Sequence, residues 1–253
     1  MKVTFLGTGT SQGVPMIGCD CAVCTSDNPK DNRLRSSIWI RNEDTSVVID
    51  SGPDFRYQML RAKVKNLDGI VFTHEHKDHV AGLDDVRAYN YWTQKDVDLF
   101  ANANTEKIIR SEFHYAFSGI NYPGIPQLKI HPLHGQDIRI GSLTFKTIKV
   151  LHYKLEVYGY RIGDFTYITD ANYISPEELD KVRGSKVLVL NALRYEEHIS
   201  HFTVAQAVAL AQEIGAETTY FTHMSHQIGL HDVVNQTLPP GIQLAYDQLC
   251  IDI

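Results

Sequence analysis

The chain has 253 residues and a formal net charge of −6, and its residues are 43% hydrophobic and 21% charged. This composition is ordinary for a globular protein and excludes a disordered or fibrous chain. The length predicts one large domain or two small ones, with enough core to need no disulfide framework. Twelve histidines against four cysteines are the unusual feature, so the placement of the histidines decides the interpretation.

Charge and hydropathy set expectations about partners and location. The chain is acidic, and its densest basic stretch is short, with Lys30, Arg33 and Arg35, which argues against a nucleic-acid partner. Runs of 18 apolar residues are absent from the sequence, so neither a membrane span nor a membrane partner is expected. Residues 1–13 do not resemble a secretory signal. We therefore expect a cytoplasmic protein with reduced thiols.

Short β-type runs bounded by Gly, Pro, Asn or Asp recur along the chain. The predicted strands are 3–6, 37–40, 47–49, 69–72, 98–101, 143–150, 157–162, 165–168, 186–190, 218–221, 242–245 and 249–253. The Gly/Pro-rich stretch 118–127 is either an exposed loop over a site or an ordinary connection. Early and late hairpins with helices between them predict two mixed sheets with helices outside, rather than one doubly wound sheet.

Four segments predict helices. Ser175, Pro176 and Glu178 are typical of a helix start, as N-cap, first helical residue and third residue. Segment 203–214 places apolar residues at helical spacing before Gly215, which is typical of a helix end. Helices are also predicted over 53–63 and 104–113.

The segment 72–79, Phe-Thr-His-Glu-His-Lys-Asp-His, follows an apolar strand. His74 and His76 are two residues apart, so in an extended segment they project from the same side. A turn then brings Asp78 and His79 toward the same point. Four nitrogen and oxygen donors within six residues suit a divalent transition metal such as Zn, Mn or Fe. The alternative is a solvated histidine-rich turn.

Three more candidate ligands, His152, Asp170 and His223, each stand just past the end of an apolar strand. Strand ends meet at one rim of a sheet, so all three can join the first cluster. One catalytic metal needs about four ligands and keeps a position open. Seven candidates together therefore indicate a two-metal site. Taken singly, each of these three strand-end residues would instead be interpreted as a capping or surface residue.

This order of His-x-His-x-Asp-His, a lone His, a lone Asp and a final His resembles the metallo-β-lactamase superfamily. The resemblance covers the whole chain, 1–253, as a single domain. It implies an α/β fold, the four-layer αββα sandwich, with two divalent ions, Zn or Mn and alternatively Fe, at one edge of the sheets. The implied ligands are His74, His76 and His152 for one ion, Asp78, His79 and His223 for the other, and Asp170 as the bridge.

The cysteines narrow the resemblance. Three lie within six residues, at Cys19, Cys21 and Cys24. Clustered thiolates in a reducing compartment suit three corners of a tetrahedral structural zinc, with free thiols as the alternative. Cys250 is one candidate for the fourth corner. The cluster and segment 222–227, Thr-His-Met-Ser-His-Gln, resemble the PhnP-like phosphodiesterase branch, and that resemblance points to His226 instead.

The PhnP-like branch comprises phosphodiesterases similar to the enzyme that opens phosphoribosyl cyclic phosphate. The resemblance implies a metal-dependent hydrolase of a small cyclic or nucleotide-like phosphodiester, in which a metal-bridging hydroxide attacks phosphorus. Asp78 and His201 are the implied catalytic residues, with His201 as general acid. His198, on the same loop, is the alternative acid, and a helix-start histidine with local hydrogen bonds is the alternative role for His201.

Other members of the fold remain alternatives. A transfer-RNA 3′-processing nuclease normally adds a basic arm, for which this chain shows no insertion. A PqqB-like cofactor-biosynthesis protein has an altered metal site, whereas all seven ligands are present here. A non-catalytic metal-binding protein, a β-lactamase and a thioesterase also share the fold. Glu75 and Lys77, between the candidate ligands, depart from the phosphodiesterase pattern, and segment 194–200 matches no known substrate pocket. The sequence therefore leaves the substrate open. It also leaves open the oligomeric state, with a homodimer as one possibility.

Overall fold

The computed structural model describes residues 1–119 and 124–253. Within these ranges the strands are β1 (Lys2–Gly7), β2 (Ser37–Arg41), β3 (Ser46–Ile49), β4 (Gly69–Val71), β5 (Val97–Asn102), β6 (Leu128–Leu133), β7 (Ile138–Ile140), β8 (Leu143–His152), β9 (Leu155–Ile162), β10 (Phe165–Ile168), β11 (Tyr173–Ile174), β12 (Val187–Asn191), β13 (Thr218–Thr222), β14 (Ile242–Leu244) and β15 (Cys250–Asp252). The helices are α1 (Phe55–Ala62), α2 (Lys77–Val80), α3 (Arg87–Thr93), α4 (Ala103–Glu112), α5 (Pro176–Val182), α6 (Val204–Ile214) and α7 (His231–Thr237).

The strands form two mixed sheets. The first runs β15-β1-β2-β3-β4-β5-β6, and the second runs β11-β8-β9-β10-β12-β13-β14, with β7 paired to β8. The inner faces of both sheets share one buried core, in which Phe5 and Ile38 of the first sheet cluster with Phe145 and Tyr160 of the second. Burial of these large apolar side chains is the main contribution to the packing of one sheet against the other.

Helices cover both outer faces. Phe55 of α1 and Ile109 of α4 pack in a second core on the outer face of the first sheet. Leu179 of α5 and Val204 of α6 pack in a third core on the outer face of the second sheet. The layers are therefore helix, sheet, sheet and helix, which confirms the αββα sandwich expected from the sequence.

The predicted helix signals operate as expected. The Ser175 side chain accepts a hydrogen bond from the backbone nitrogen of Glu178 at the start of α5. Thr203 and Gln206 form a reciprocal capping box at the start of α6, which ends at the left-handed residue Gly215. All four predicted helices are present, with bounds that differ by up to two residues from the sequence prediction.

Strands β6, β7 and β11 and helices α2, α3 and α7 were not predicted from the sequence. Strand β6 lies at the edge of its sheet, beside β5, and contains Pro132 and alternating polar residues. Helix α7 lacks a side-chain cap at Leu230, so it has no start signal to detect. The 118–127 loop prediction falls partly on residues 120–123, which lie outside the described residues. Among the described helices, none has the length and apolar character needed to cross a bilayer.

Candidate metal centre and active site

The candidate site lies where strands of both sheets end. Strand β4 leads into His74 and His76 and then into α2, which carries the next two candidate ligands. Helix α2 lies close to the end of β3, because the backbone nitrogen of Ser51 donates a hydrogen bond to the His79 carbonyl oxygen at 2.7 Å. A Cβ atom on Gly52 would lie 2.0 Å from the Asp78 carbonyl oxygen. Glycine is therefore required for this close approach.

The first group of candidate ligands consists of His74, His76 and His152, whose ligand atoms lie within 4.8 Å of one another. His74 Nε2 is 2.9 Å from His76 Nδ1. His152 Nδ1 donates to the Ser200 carbonyl oxygen at 2.8 Å, which leaves Nε2 available to an ion. Burial holds the pKa of His74 well below its usual range. The ring therefore stays neutral, which is the form that binds a metal.

The second group consists of Asp78, His79, Asp170 and His223, all four of them buried. His79 Nε2 lies 3.2 Å from Asp78 Oδ2 and 3.4 Å from Asp170 Oδ2. His223 Nε2 lies 3.2 Å from the other oxygen of Asp170. Although burial opposes ionisation, His223 and His79 hold the pKa of Asp170 well below its usual range. Asp170 is thus an anion that lies between imidazoles.

These residues fit a pair of divalent cations. His79 Nε2 is buried and has no hydrogen-bond partner among the described residues, yet it faces two carboxylates. Although burial favours the neutral ring, Asp78, Asp50 and Asp170 raise the pKa of His79 well above its usual value. The surroundings of this ring therefore favour a positive charge. The distances of about 3 Å between His79 Nε2 and the two carboxylate oxygens suit ligands that share one ion.

Asp50 belongs to this site, although the sequence analysis did not single it out. Its Oδ2 accepts a hydrogen bond from His79 Nδ1 at 2.7 Å. The backbone nitrogen and the hydroxyl of Thr73 both donate to the same carboxylate at 2.8 Å. A carboxylate in this position fixes the ring orientation and tautomer of a metal-binding histidine. The sequence signal that could have identified Asp50 is its position directly after β3, since the other candidates also follow strand ends.

His201 lies beside the proposed bridging carboxylate. It is buried, and its Nδ1 is 3.9 Å from Asp170 Oδ1 with no hydrogen-bond partner in the described residues. Its ring centroid lies 4.6 Å from that of His152 and 4.9 Å from that of His223. Burial lowers the pKa of His201 to about 3, so the resting ring is neutral.

His198 occupies a different position from His201. It is exposed, and its ring centroid lies 5.0 Å from that of His201. Its Nδ1 accepts a local hydrogen bond from the backbone nitrogen of Ser200 at 3.3 Å. The structure therefore places His201 next to the candidate ligands and His198 at the rim.

The cysteine cluster meets His226 and not Cys250. The sulfur atoms of Cys19 and Cys21 lie 3.5 and 3.2 Å from His226 Nδ1, and Cys24 belongs to the same group of four within 4.8 Å. The contact with His226 lowers the pKa of the Cys21 thiol to about 6. Cys250 is exposed on β15, opposite Thr4. Three sulfurs and one nitrogen form a donor set suited to zinc.

Hydrogen bonds join the cysteine cluster to the loop that carries His201. The backbone nitrogen and the hydroxyl of Ser225 both donate to the Leu193 carbonyl oxygen, at 3.0 and 3.1 Å. Arg194 Nη1 donates to Gln227 Oε1 at 2.7 Å. Both contacts flank His226, so the segment around His226 is hydrogen-bonded to the segment that leads to His201.

Comparison with known proteins defines the family. The model of the beta-lactamase superfamily domain matches residues 45–224. A crystal structure of a diphosphatase from the PhnP family superposes with a TM-score of 0.93 and 42% sequence identity, covering 100% of this chain and 97% of that chain. This chain belongs to the β-lactamase superfamily, in its PhnP-like branch. The family expected from the motifs is thereby confirmed.

Curated relatives differ in length from this chain. An octanoyltransferase of Porphyromonas gingivalis is 38% identical over 252 residues, which are 98% of this chain and 51% of that protein. A ribonuclease Z of Nostoc sp. is 27% identical over 168 residues, or 65% of this chain and 47% of the relative. The chain thus spans about half the length of these curated relatives, and their names describe the longer proteins.

Proposed function

We propose that this protein is a metal-dependent hydrolase that cleaves a small cyclic or nucleotide-like phosphodiester. The observation that carries the proposal is the convergence of seven nitrogen and oxygen donors beside a buried imidazole, His201, 3.9 Å from Asp170. Membership of the PhnP-like branch, the 42% identical diphosphatase and the ribonuclease Z relatives support phosphoester chemistry.

The proposed ligands follow the two groups of the site. His74, His76 and His152 would hold one ion, Asp78, His79 and His223 would hold the other, and Asp170 would contact both. When bound, such a pair supplies Lewis acidity toward a phosphoryl group and lowers the pKa of water. Zn, Mn and Fe all suit this mixture of imidazole and carboxylate donors. Asp78 would contribute negative charge as well as a ligand atom, and its carboxylate already lies 3.2 Å from His79 Nε2.

His201 would protonate the leaving oxygen. Burial away from bulk water lowers the pKa of the ring and so keeps it neutral. A phosphate anion placed beside the ring raises its pKa, because an opposite charge favours the protonated form. The protonated ring can then transfer its proton to the departing alkoxide. Exposure of His198 makes it less suited to the same task.

The cysteine cluster would hold a structural zinc. Cys19, Cys21, Cys24 and His226 provide four donors, which leaves no coordination position for substrate. Ser225 and Gln227, on either side of His226, are hydrogen-bonded to Leu193 and Arg194 of the His201 loop, so this zinc would hold that loop in place from outside the active site. Its role is therefore positional.

Hydrolysis of a diphosphate is the second candidate, because the 42% identical structure is that of a diphosphatase. A phosphate leaving group needs less protonation than an alkoxide. A diphosphate substrate would therefore depend less on His201 than a dialkyl phosphodiester.

A substrate panel assayed with metal-reconstituted protein tests the proposal. The panel contains a cyclic nucleotide, a linear alkyl diester, a nucleoside diphosphate and a precursor transfer RNA. We expect turnover of at least one small diester, which is lost on chelation and restored by Zn²⁺ or Mn²⁺. Turnover of the diphosphate alone selects the second candidate. Failure on every small substrate overturns both.

A further inference from the structure

Strand β12 contributes no proposed metal ligand, but it lies between β10 and β13, whose ends carry Asp170 and His223. Its last residue, Asn191, is fully buried. We propose that Asn191 is a positioning residue that sets the Asp170 carboxylate and the His201 imidazole relative to each other. This inference rests on the proposed function, since it concerns the geometry of the acid that protonates the leaving group.

The first step is a paired hydrogen bond between Asn191 and Ala171. Asn191 Oδ1 accepts from the Ala171 backbone nitrogen at 2.8 Å, and Asn191 Nδ2 donates to the Ala171 carbonyl oxygen at 2.9 Å. Ala171 directly follows Asp170 and is itself fully buried. The carboxamide therefore fixes the backbone of the residue adjacent to the bridging carboxylate.

The backbone explains why a side chain is needed there. The β10–β12 ladder pairs residues only up to Ile168 and Leu190. Asp170 then turns the chain with a left-handed φ of 53°, which carries the backbone away from the strand. Buried backbone groups still require partners. Asn191 supplies one acceptor and one donor in place of the interrupted ladder.

The second step joins Ala171 to His201. The Ala171 carbonyl oxygen also accepts from the Phe202 backbone nitrogen at 2.9 Å, and the Phe202 carbonyl oxygen accepts from the Leu193 nitrogen at 3.0 Å. Phe202 directly follows His201. The Ala171 nitrogen is held by Asn191 on the side of Asp170, whereas the Ala171 carbonyl oxygen is shared by Asn191 and Phe202. A shift of this carbonyl therefore moves the backbone beside His201 relative to Asp170.

Asn191→Asp is the informative variant because it is nearly isosteric. Its carboxylate still accepts from the Ala171 nitrogen, but it places an oxygen against the Ala171 carbonyl oxygen, and two acceptors repel. A misplacement of about 1 Å at a reacting group costs about 100-fold in rate. The displaced group is the acid, so the loss should depend on the leaving group.

Asn90→Asp is the matched control. Asn90 is also buried, and its Oδ1 accepts from the Gln127 nitrogen at 3.0 Å while its Nδ2 donates to the Gln127 carbonyl oxygen at 2.9 Å. Asn90 pairs with the Gln127 peptide as Asn191 pairs with the Ala171 peptide, and its Nδ2 also donates to the Lys95 carbonyl oxygen at 2.8 Å. Gln127 lies just before β6, beside no proposed ligand. Any general cost of a buried carboxylate therefore appears in both variants.

The test compares kcat on an alkyl phosphodiester with kcat on a nitrophenyl diester, using variants saturated with metal. We expect Asn191→Asp to lose roughly tenfold or more on the alkyl diester and less than about threefold on the nitrophenyl diester, whose leaving group needs no proton. Asn90→Asp should lose less than about threefold on both, even where its melting temperature falls equally.

Equal losses of Asn191→Asp on the two substrates, or behaviour matching that of Asn90→Asp, would overturn the positioning role. If wild-type protein hydrolyses neither diester, the proposed function itself fails and this inference fails with it. Hydrogen exchange of the wild-type protein gives a measurement that needs no variant. The amide hydrogens of Ala171 and Phe202 should both be strongly protected, and fast exchange at either would contradict the proposed bonds.

Discussion

Single side chains outside the proposed ligand set fix the orientation of the proposed ligands. Asp50 is bonded to His79 Nδ1, and Asn191 is bonded to the peptide after Asp170. The convergence of the seven candidate ligands could be predicted, because histidines and aspartates that follow apolar strands are conspicuous in a sequence. Asn191 was missed because its role depends on which strand lies beside it, and pairing between distant strands has no local signal. Asp50 follows β3 as the other candidates follow their strands, but its contact with His79 depends on the fold.

Asp50→Asn should weaken metal binding at the His79 position. The variant removes the negative charge that orients the ring and increases its basicity, so affinity should fall by about 10–100-fold. Titration of metal-free protein against a competing chelator measures this change. Asp98→Asn is the control, since Asp98 makes a 2.7 Å contact with His131, a histidine outside the proposed ligand set. Unchanged affinity in Asp50→Asn would contradict the role given to Asp50.

His201→Ala should separate substrates by leaving group. Loss of a general acid lowers the rate on an alkyl diester by roughly 10²–10⁴-fold, whereas a nitrophenyl diester should be affected much less. The ratio of kcat between the two substrates is the measurement, and His198→Ala is the neighbouring control that should retain most activity on both. Equal losses on the two substrates would be inconsistent with the assignment of His201.

Among the elements, strands proved more predictable than the connections that build the site. The runs before Asp170 and His223 carry regular β-type residues, and their predicted bounds agree with β10 and β13 to within one residue. Helix α2 was expected only as a turn, because its four residues are candidate ligands and their neighbours and contain no amphipathic repeat. Tertiary contacts, such as that from Ser51 to His79, decide its form.

Cys21→Ala tests the link between the cysteine loop and the His201 loop. We expect the variant to lose one zinc per chain, since three ligands bind a structural zinc poorly. Without that zinc, the contact of Ser225 with Leu193 should loosen and the alkyl diester rate should fall. Metal analysis and thermal melting measure these effects, with Cys250→Ala as the control at an exposed thiol. Full zinc content in Cys21→Ala would contradict the assignment.

At the scale of the whole molecule, a buried cation ties the N-terminal segment to the C-terminal part of the chain. Arg33 is only 2% exposed, and its guanidinium donates to the Ala245 carbonyl oxygen at 2.9 Å and to His231 Nδ1 at 3.2 Å. Burial lowers the pKa of Arg33 to about 10, so it stays charged at neutral pH. The sequence analysis counted Arg33 only as part of a short basic stretch. Its burial could not be predicted, because the burial of a charge depends on the fold.

Arg33→Met should therefore be strongly destabilising. The substitution leaves the Ala245 carbonyl oxygen and His231 Nδ1 without the guanidinium that donates to them. Each buried polar group left unpaired in this way costs about 1–3 kcal/mol in the free energy of unfolding. Urea denaturation measures the change. Arg110→Met is the control, because Arg110 forms an exposed pair with Glu106, which contributes about 0.5 kcal/mol or less. Equal effects of the two substitutions would show that Arg33 is not a structural cation.

The metal dependence of hydrolysis is the decisive test of the proposed two-metal site. Metal-free protein is titrated with Zn²⁺ or Mn²⁺ while the initial rate of bis(4-nitrophenyl) phosphate hydrolysis is followed. We expect a negligible rate without metal and a plateau once about two ions per chain are bound beyond the cysteine-bound zinc, with a much lower plateau for Asp170→Asn. Hydrolysis that is absent at every metal concentration, or that persists unchanged under chelation, would show that the protein is not a two-metal phosphodiesterase.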